Sequence, residues 1–190
     1  MEIFALVTFY VLGYLIHIFL CRRFNTNPQR FKTFLLYLFI ALILAGALSQ
    51  NLNLAALSLL IIGWSIILID YEFHRIPNFI TGYLLLLLLL IQLFQRHFMD
   101  SIIGGVEFLF FFGVLTFISR GGIGIGDVKL AGLIGLVIGR VTFLELINFT
   151  LLAAILGLLS TLGKSRPQRF KGGIAFAAPM FAAAIWIWPI

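Results

Sequence analysis

Two aspartates, Asp70 and Asp127, have the residue type and setting for catalysis in an otherwise apolar chain. Asp70 closes the stretch WSIILID, and Asp127 follows GGIGIG, which carries four glycines at 121, 122, 124 and 126. Two carboxylates facing one water form the minimal apparatus for peptide hydrolysis. The ionised one removes a proton from the water while the other, protonated, polarises the scissile carbonyl. The two lie 57 positions apart, so only tertiary packing can bring them together. A simpler role for Asp127 is a helix N-cap, which leaves the glycines unexplained. Glycines tolerate positive φ and let another backbone come close. The loop can therefore admit an extended peptide to within hydrogen-bonding distance of Asp127. The rival chemistry is a proton or cation pathway, since ionisable groups in apolar spans also mark ion routes.

The remaining acids and one cation are weighed against this pair. Glu2 and Asp100 fall at the ends of apolar segments, where a solvated charge needs no partner. Glu145 follows Arg140 and is expected to snorkel or to pair with a cation. Glu107 sits about six residues into an apolar segment and calls for a hydroxyl or backbone partner on a neighbouring helix. In a transporter it would be the most telling residue. Glu72 reads as a solvated loop charge two positions after Asp70. Lys129, two after Asp127, either snorkels to headgroups or tunes the pair. Asp70 lies at the C-terminal end of its segment and Asp127 at the N-terminal start of its own. The helix dipoles therefore assign Asp127 as base and Asp70 as acid.

The elements that must position these residues are membrane spans. The chain is 62% hydrophobic and 11% charged, with mean hydropathy +1.14, too little polar material to surface a soluble domain of this length. Continuous runs such as Leu84–Ile91 favour helices over alternating barrel strands. The predicted fold is therefore an all-α polytopic bundle of about eight transmembrane helices, one domain over 1–190. The predicted segments are 3–20, 33–48, 54–69, 79–94, 101–118, 128–139, 141–162 and 174–188. The first is taken as a retained span, because only Glu2 is charged before it and no cleavage site follows.

With the N-terminus outside, the cytoplasmic side holds Arg22, Arg23, Arg30, Lys32, Arg75, Arg120, Lys129, Lys164, Arg166, Arg169 and Lys171. The outer side holds only Arg96 and Arg140. This segregation supports the span count and the orientation together, and it puts Asp70 and Asp127 on the cytoplasmic side. The net charge of +6 is thus topological, with lipid headgroups as its partner. No basic face with interleaved aromatics points to nucleic acid. The single cysteine, Cys21, excludes an internal disulfide and a multi-cysteine zinc site. His17 and Cys21 share a helix face, but two ligands do not make a metal site.

Two motifs resemble those of a known family. Gly124-Ile125-Gly126-Asp127 resembles the GxGD motif of membrane aspartyl proteases. DYEFHRIPN, Asp70–Asn78, resembles the first aspartate motif of the type IV prepilin peptidases, with Pro77 at the matching interval. GGIAFAAPMF loosely resembles their Pro-containing final helix. The resemblance implies an endopeptidase with Asp70 and Asp127 as its catalytic pair. Gly124, Gly126, Lys129, Glu72 and Pro77 would be loop or tuning residues, and neither metal nor cofactor is needed. It implies prepilin or pseudopilin substrates whose basic leader, which Glu72 could meet, is cut at the cytoplasmic face of a bacterial inner membrane. The surrounding machinery would be that of type IV pili or type II secretion. Many members also carry a methyltransferase domain between their first two spans. Here that loop is only Cys21–Lys32, too short to fold a domain, so peptidase activity alone is expected. The alternatives are a small proton- or cation-coupled transporter, which repeated or inverted halves would favour, and a non-enzymatic assembly factor indifferent to loss of either aspartate.

Overall fold

The computed structural model describes residues 54–73, 76–94, 98–120, 122–161 and 175–187. Six helices make up all the regular structure of the described residues. They are α1 (Leu54–Phe73), α2 (Asn78–Leu93), α3 (Phe98–Ile118), α4 (Ile125–Ile138), α5 (Phe143–Leu159) and α6 (Ala177–Ile187). The all-α expectation holds for them. The predicted spans at 3–20 and 33–48, the loop Cys21–Lys32, and the whole of the Gly163–Gly173 connection lie outside the described residues. The chain divides into two compact units, Met1–Ser65 with Ile190, and Ile66–Pro189. The second contains every described element from the end of α1 onward.

Local chemistry sets the helix ends. Pro77, with φ −66° and ψ 130°, holds the extended entry to α2, and its carbonyl accepts the amides of Ile80 and Thr81. Its fixed φ and missing N–H suit a helix start. α4 stops at Gly139, whose φ of +83° is open to glycine and strained for other residues. α5 starts with a capping box. The Glu145 amide donates to the Thr142 hydroxyl at 3.3 Å, and the Glu145 carboxylate accepts the Thr142 amide at 2.6 Å. Glu145 therefore neither snorkels nor pairs with a cation, as its position near Arg140 had suggested. It satisfies the donors of its own helix end.

Several predicted boundaries shift, and two shifts matter. α1 runs three residues past Asp70, so Asp70 lies in its last turn and Glu72 is helical rather than in a loop. The side chain of Glu72 lies outside the described residues. α4 begins at Ile125, before the predicted 128, so Asp127 sits inside its first turn. Of the described helices, α3 alone is both long and apolar enough to cross a membrane by those criteria. Its 21 residues give roughly 31 Å at ~1.5 Å per residue, against a hydrocarbon core of ~30 Å.

α3 and α4 form the most extensive helix pair, and glycines make their close approach possible. A β-carbon at Gly104 would collide with the Gly139 carbonyl, and one at Gly135 would collide with the Gly104 carbonyl. Small residues that let backbones touch are how helices associate in lipid, where apolar burial drives little. Further along the same face of α3, Phe108 and Phe112 pack edge-to-face on Phe149 of α5, at centroid separations of 5.1 and 5.8 Å. α5 packs in turn on α6, where Gly157 faces the Phe176 ring. Glu107 finds the backbone partner expected of it. Its carboxylate accepts the Val141 amide at 3.2 Å, tying α3 to the turn before α5.

Candidate active site

Asp70 is 5% exposed and does not stand alone. Its Oδ2 accepts the backbone N–H of Ala177 at 2.9 Å. Ala177 is the first residue of α6, so the N–H is one of the four that a helix start leaves without an intrahelical partner. Pro179, two residues on, has no N–H to satisfy. Asp70 is thus near the C-terminal end of its own helix and at the N-terminal end of another. The positive end of α6 offsets the unfavourable end of α1. Sequence reasoning assigned only the first of these surroundings. The signal for the second was present in AAPMF, a proline in the first turn of a late helix, but nothing local ties it to Asp70.

Asp127 is the third residue of α4 and half-buried. Its Oδ2 reaches back to the amide of the N-cap Gly124 at 3.3 Å. With no side chain at Gly124 to reciprocate, this is half of a capping box. The expectation of Asp127 as N-cap is therefore off by one turn position: Gly124 caps, and Asp127 supports it from within. Positive φ is not what Gly122, Gly124 and Gly126 provide, since none of them has it. Gly126 serves through space. A β-carbon there would stand 3.1 Å from the Ile76 β-carbon. Gly126 thus lets the start of α4 lie against the Ile76-Pro77 segment that follows Asp70.

A second contact joins the same two segments. Lys129 Nζ donates to Asn78 Oδ1 at 2.7 Å, linking the fifth residue of α4 to the first residue of α2. This ammonium, expected from sequence either to snorkel to headgroups or to tune the pair, donates to a neutral amide oxygen. Both aspartates also accept a backbone N–H.

Together these contacts lay the start of α4, which carries Asp127, against the segment that leads on from Asp70. Two carboxylates from motifs far apart in sequence thus share one site. It is framed by the start of α6 behind Asp70 and by the Ile76–Asn78 segment against α4. Such a pair can hold a water and divide one proton between its members. Ile76, Asn78 and Ala177 were missed as parts of this frame, because each acts through packing or a backbone amide. The family model of the type IV leader peptidase family matches residues 54–162, a stretch that contains both aspartates, the glycine loop and the α2 start. No curated protein and no solved structure matches the chain.

Proposed function

Because the chain belongs to the type IV leader peptidase family, and is thus a membrane protease acting on prepilin-type substrates, we propose that it cuts their leaders by a two-aspartate mechanism. The observation that carries this reading is the packing of Gly126 and Lys129, which flank Asp127, on the Ile76–Asn78 segment that follows Asp70, across 57 positions of sequence. One carboxylate, ionised, takes a proton from the bound water. The resulting hydroxide attacks the scissile carbonyl carbon, whose oxygen takes up the proton of the second aspartic acid, giving a neutral tetrahedral diol. Breakdown returns a diol proton to the now-ionised partner, and the first aspartate gives its proton to the leaving amine. Water is consumed, two chain ends are released and the pair regains its single shared proton.

Segregation of basic residues supports a site on the cytoplasmic side of a bacterial inner membrane. There the basic leader would meet the acids near Asp70, with Glu72 among them. Gly124 puts no side chain before Asp127, Gly126 admits Ile76 beside it, and Pro77 caps the start of α2. Family membership gives no support to a small transporter. The test is co-expression of the full chain with a prepilin-type substrate, following the leader by gel shift. Asp70→Asn and Asp127→Asn should each abolish processing while the protein still accumulates in the membrane, and Glu72→Gln should retain it. Robust cleavage by either aspartate variant would end the two-aspartate reading.

A further inference from the structure

A groove of about 620 Å³ runs between α2, α3 and α4. α2 and α3 each pack on α4 but touch one another little, which leaves a slot between them among the described residues. Its walls are apolar, with Leu85, Leu89, Val106 and Leu133 among them. Its polar end holds Asn78 and Lys129, and among the described residues no carboxylate lines it. Lys129 lies two residues from Asp127, roughly 200° around α4, so the groove faces away from the aspartate pair. Neither the aspartates nor the proposed reaction uses it.

We propose that this groove is a binding site for an anionic phospholipid, with an acyl chain along the apolar walls and the phosphate on Lys129. Length supports a lipid. From Asn78 to Leu89 the groove follows eleven residues of α2, roughly 16 Å at ~1.5 Å each. Half of a ~30 Å hydrocarbon core is ~15 Å, so the slot is one leaflet deep, with its charge at the headgroup end. A membrane-crossing peptide helix would need about twice that length, and a width of ~10 Å. Charge supports an anion. Of the three donors on Lys129, one goes to Asn78, and the remaining donors can bind phosphate oxygens. Shape supports a chain lying against the helix surface. Gly82 lines the slot, and a β-carbon there would meet nothing within 4 Å.

The test is native mass spectrometry of the full chain in non-ionic detergent, titrated with phosphatidylglycerol and phosphatidylcholine of identical acyl chains. It reads binding alone, so its failure leaves the protease reading untouched. Wild type should retain one phosphatidylglycerol with about fivefold preference, the equivalent of the ~1 kcal/mol that one lysine contributes at an anionic surface. Lys129→Gln should bind both lipids equally at the phosphatidylcholine level. Gly82→Leu should lose both lipids. Gly113→Leu, equally open in space but outside the groove, should behave as wild type. Equal retention of the two lipids by wild type would overturn the proposal, as would full retention by Gly82→Leu. Displacement of bound phosphatidylglycerol by a prepilin-type apolar helix, in proportion to its occupancy, would reassign the groove to the substrate.

Discussion

Substituting Gly135 by alanine tests whether the α3–α4 contact holds Asp127 in place. The new β-carbon would stand 2.8 Å from Phe108 Cδ2 and 2.9 Å from the Gly104 carbonyl carbon, and closer still to the Gly104 oxygen. Carbon pairs settle at ~3.5–4.0 Å. The Phe108 ring can turn aside, but the Gly104 backbone cannot, so the helices must part by roughly 0.6–1 Å. Overpacking of this kind costs about 1–3 kcal/mol. Alanine also favours a helix interior over glycine by ~1 kcal/mol, which would mask part of the loss. Gly113→Ala, in α3 with nothing within 4 Å of its β-carbon, gains the same propensity without the clash, so the difference between the variants isolates the contact. In a chain of this size each kcal/mol moves Tm by roughly 2–4 °C, so Gly135→Ala should melt about 2–12 °C below Gly113→Ala. α4 carries Asp127, and ~1 Å of misplacement can cost ~100-fold in rate. Leader cleavage by Gly135→Ala should therefore fall by about 10–100-fold while Gly113→Ala stays near wild type. Equal Tm and equal cleavage for the two would refute the close contact as a determinant of the site.

Three further outcomes follow from particular contacts. Thr142→Ala removes the hydroxyl that caps α5 and should lower stability by about 1 kcal/mol, read as a fall in Tm with cleavage per folded molecule unchanged. Gly126→Ala pushes its β-carbon onto Ile76; a shift of roughly 0.5 Å to reach ordinary contact should slow cleavage by about tenfold with little change in Tm, and unchanged kinetics would remove Gly126 from the frame of the site. α4 has 14 residues, ~21 Å of helix against a ~30 Å core, so Asp127 should lie below the headgroups in a wet notch. In a Cys21→Ser background, Asp127→Cys should react with a small water-soluble thiol reagent but not with a bulky one, and equal labelling by both would place it at the surface.

The sequence by itself determined what local chemistry controls. Continuous apolar runs made the described residues all-helical, since helices satisfy their own backbone in a medium without water. Pro77, Gly139 and the Thr142–Glu145 box set helix ends from within a few residues. The glycine run and the Asp–Ile–Pro–Asn spacing singled out the two aspartates without knowledge of their neighbours. The tertiary structure alone decided which groups those side chains meet. Asp70 is held by an Ala177 amide 107 positions away, and Glu107 by Val141 at a distance of 34. Lys129 turns to Asn78 rather than to the acid two residues before it. Residues i and i+2 point to opposite sides of a helix, so a cation two positions after Asp127 is carried on another face of α4. A backbone amide leaves no mark in the residue type that carries it, so the donor to Asp70 could not be read from alanine. The value of Gly104, Gly126 and Gly135 lies in the atoms of another segment that would occupy the place of a side chain. That information belongs to the pair of helices, and only packing them together supplies it.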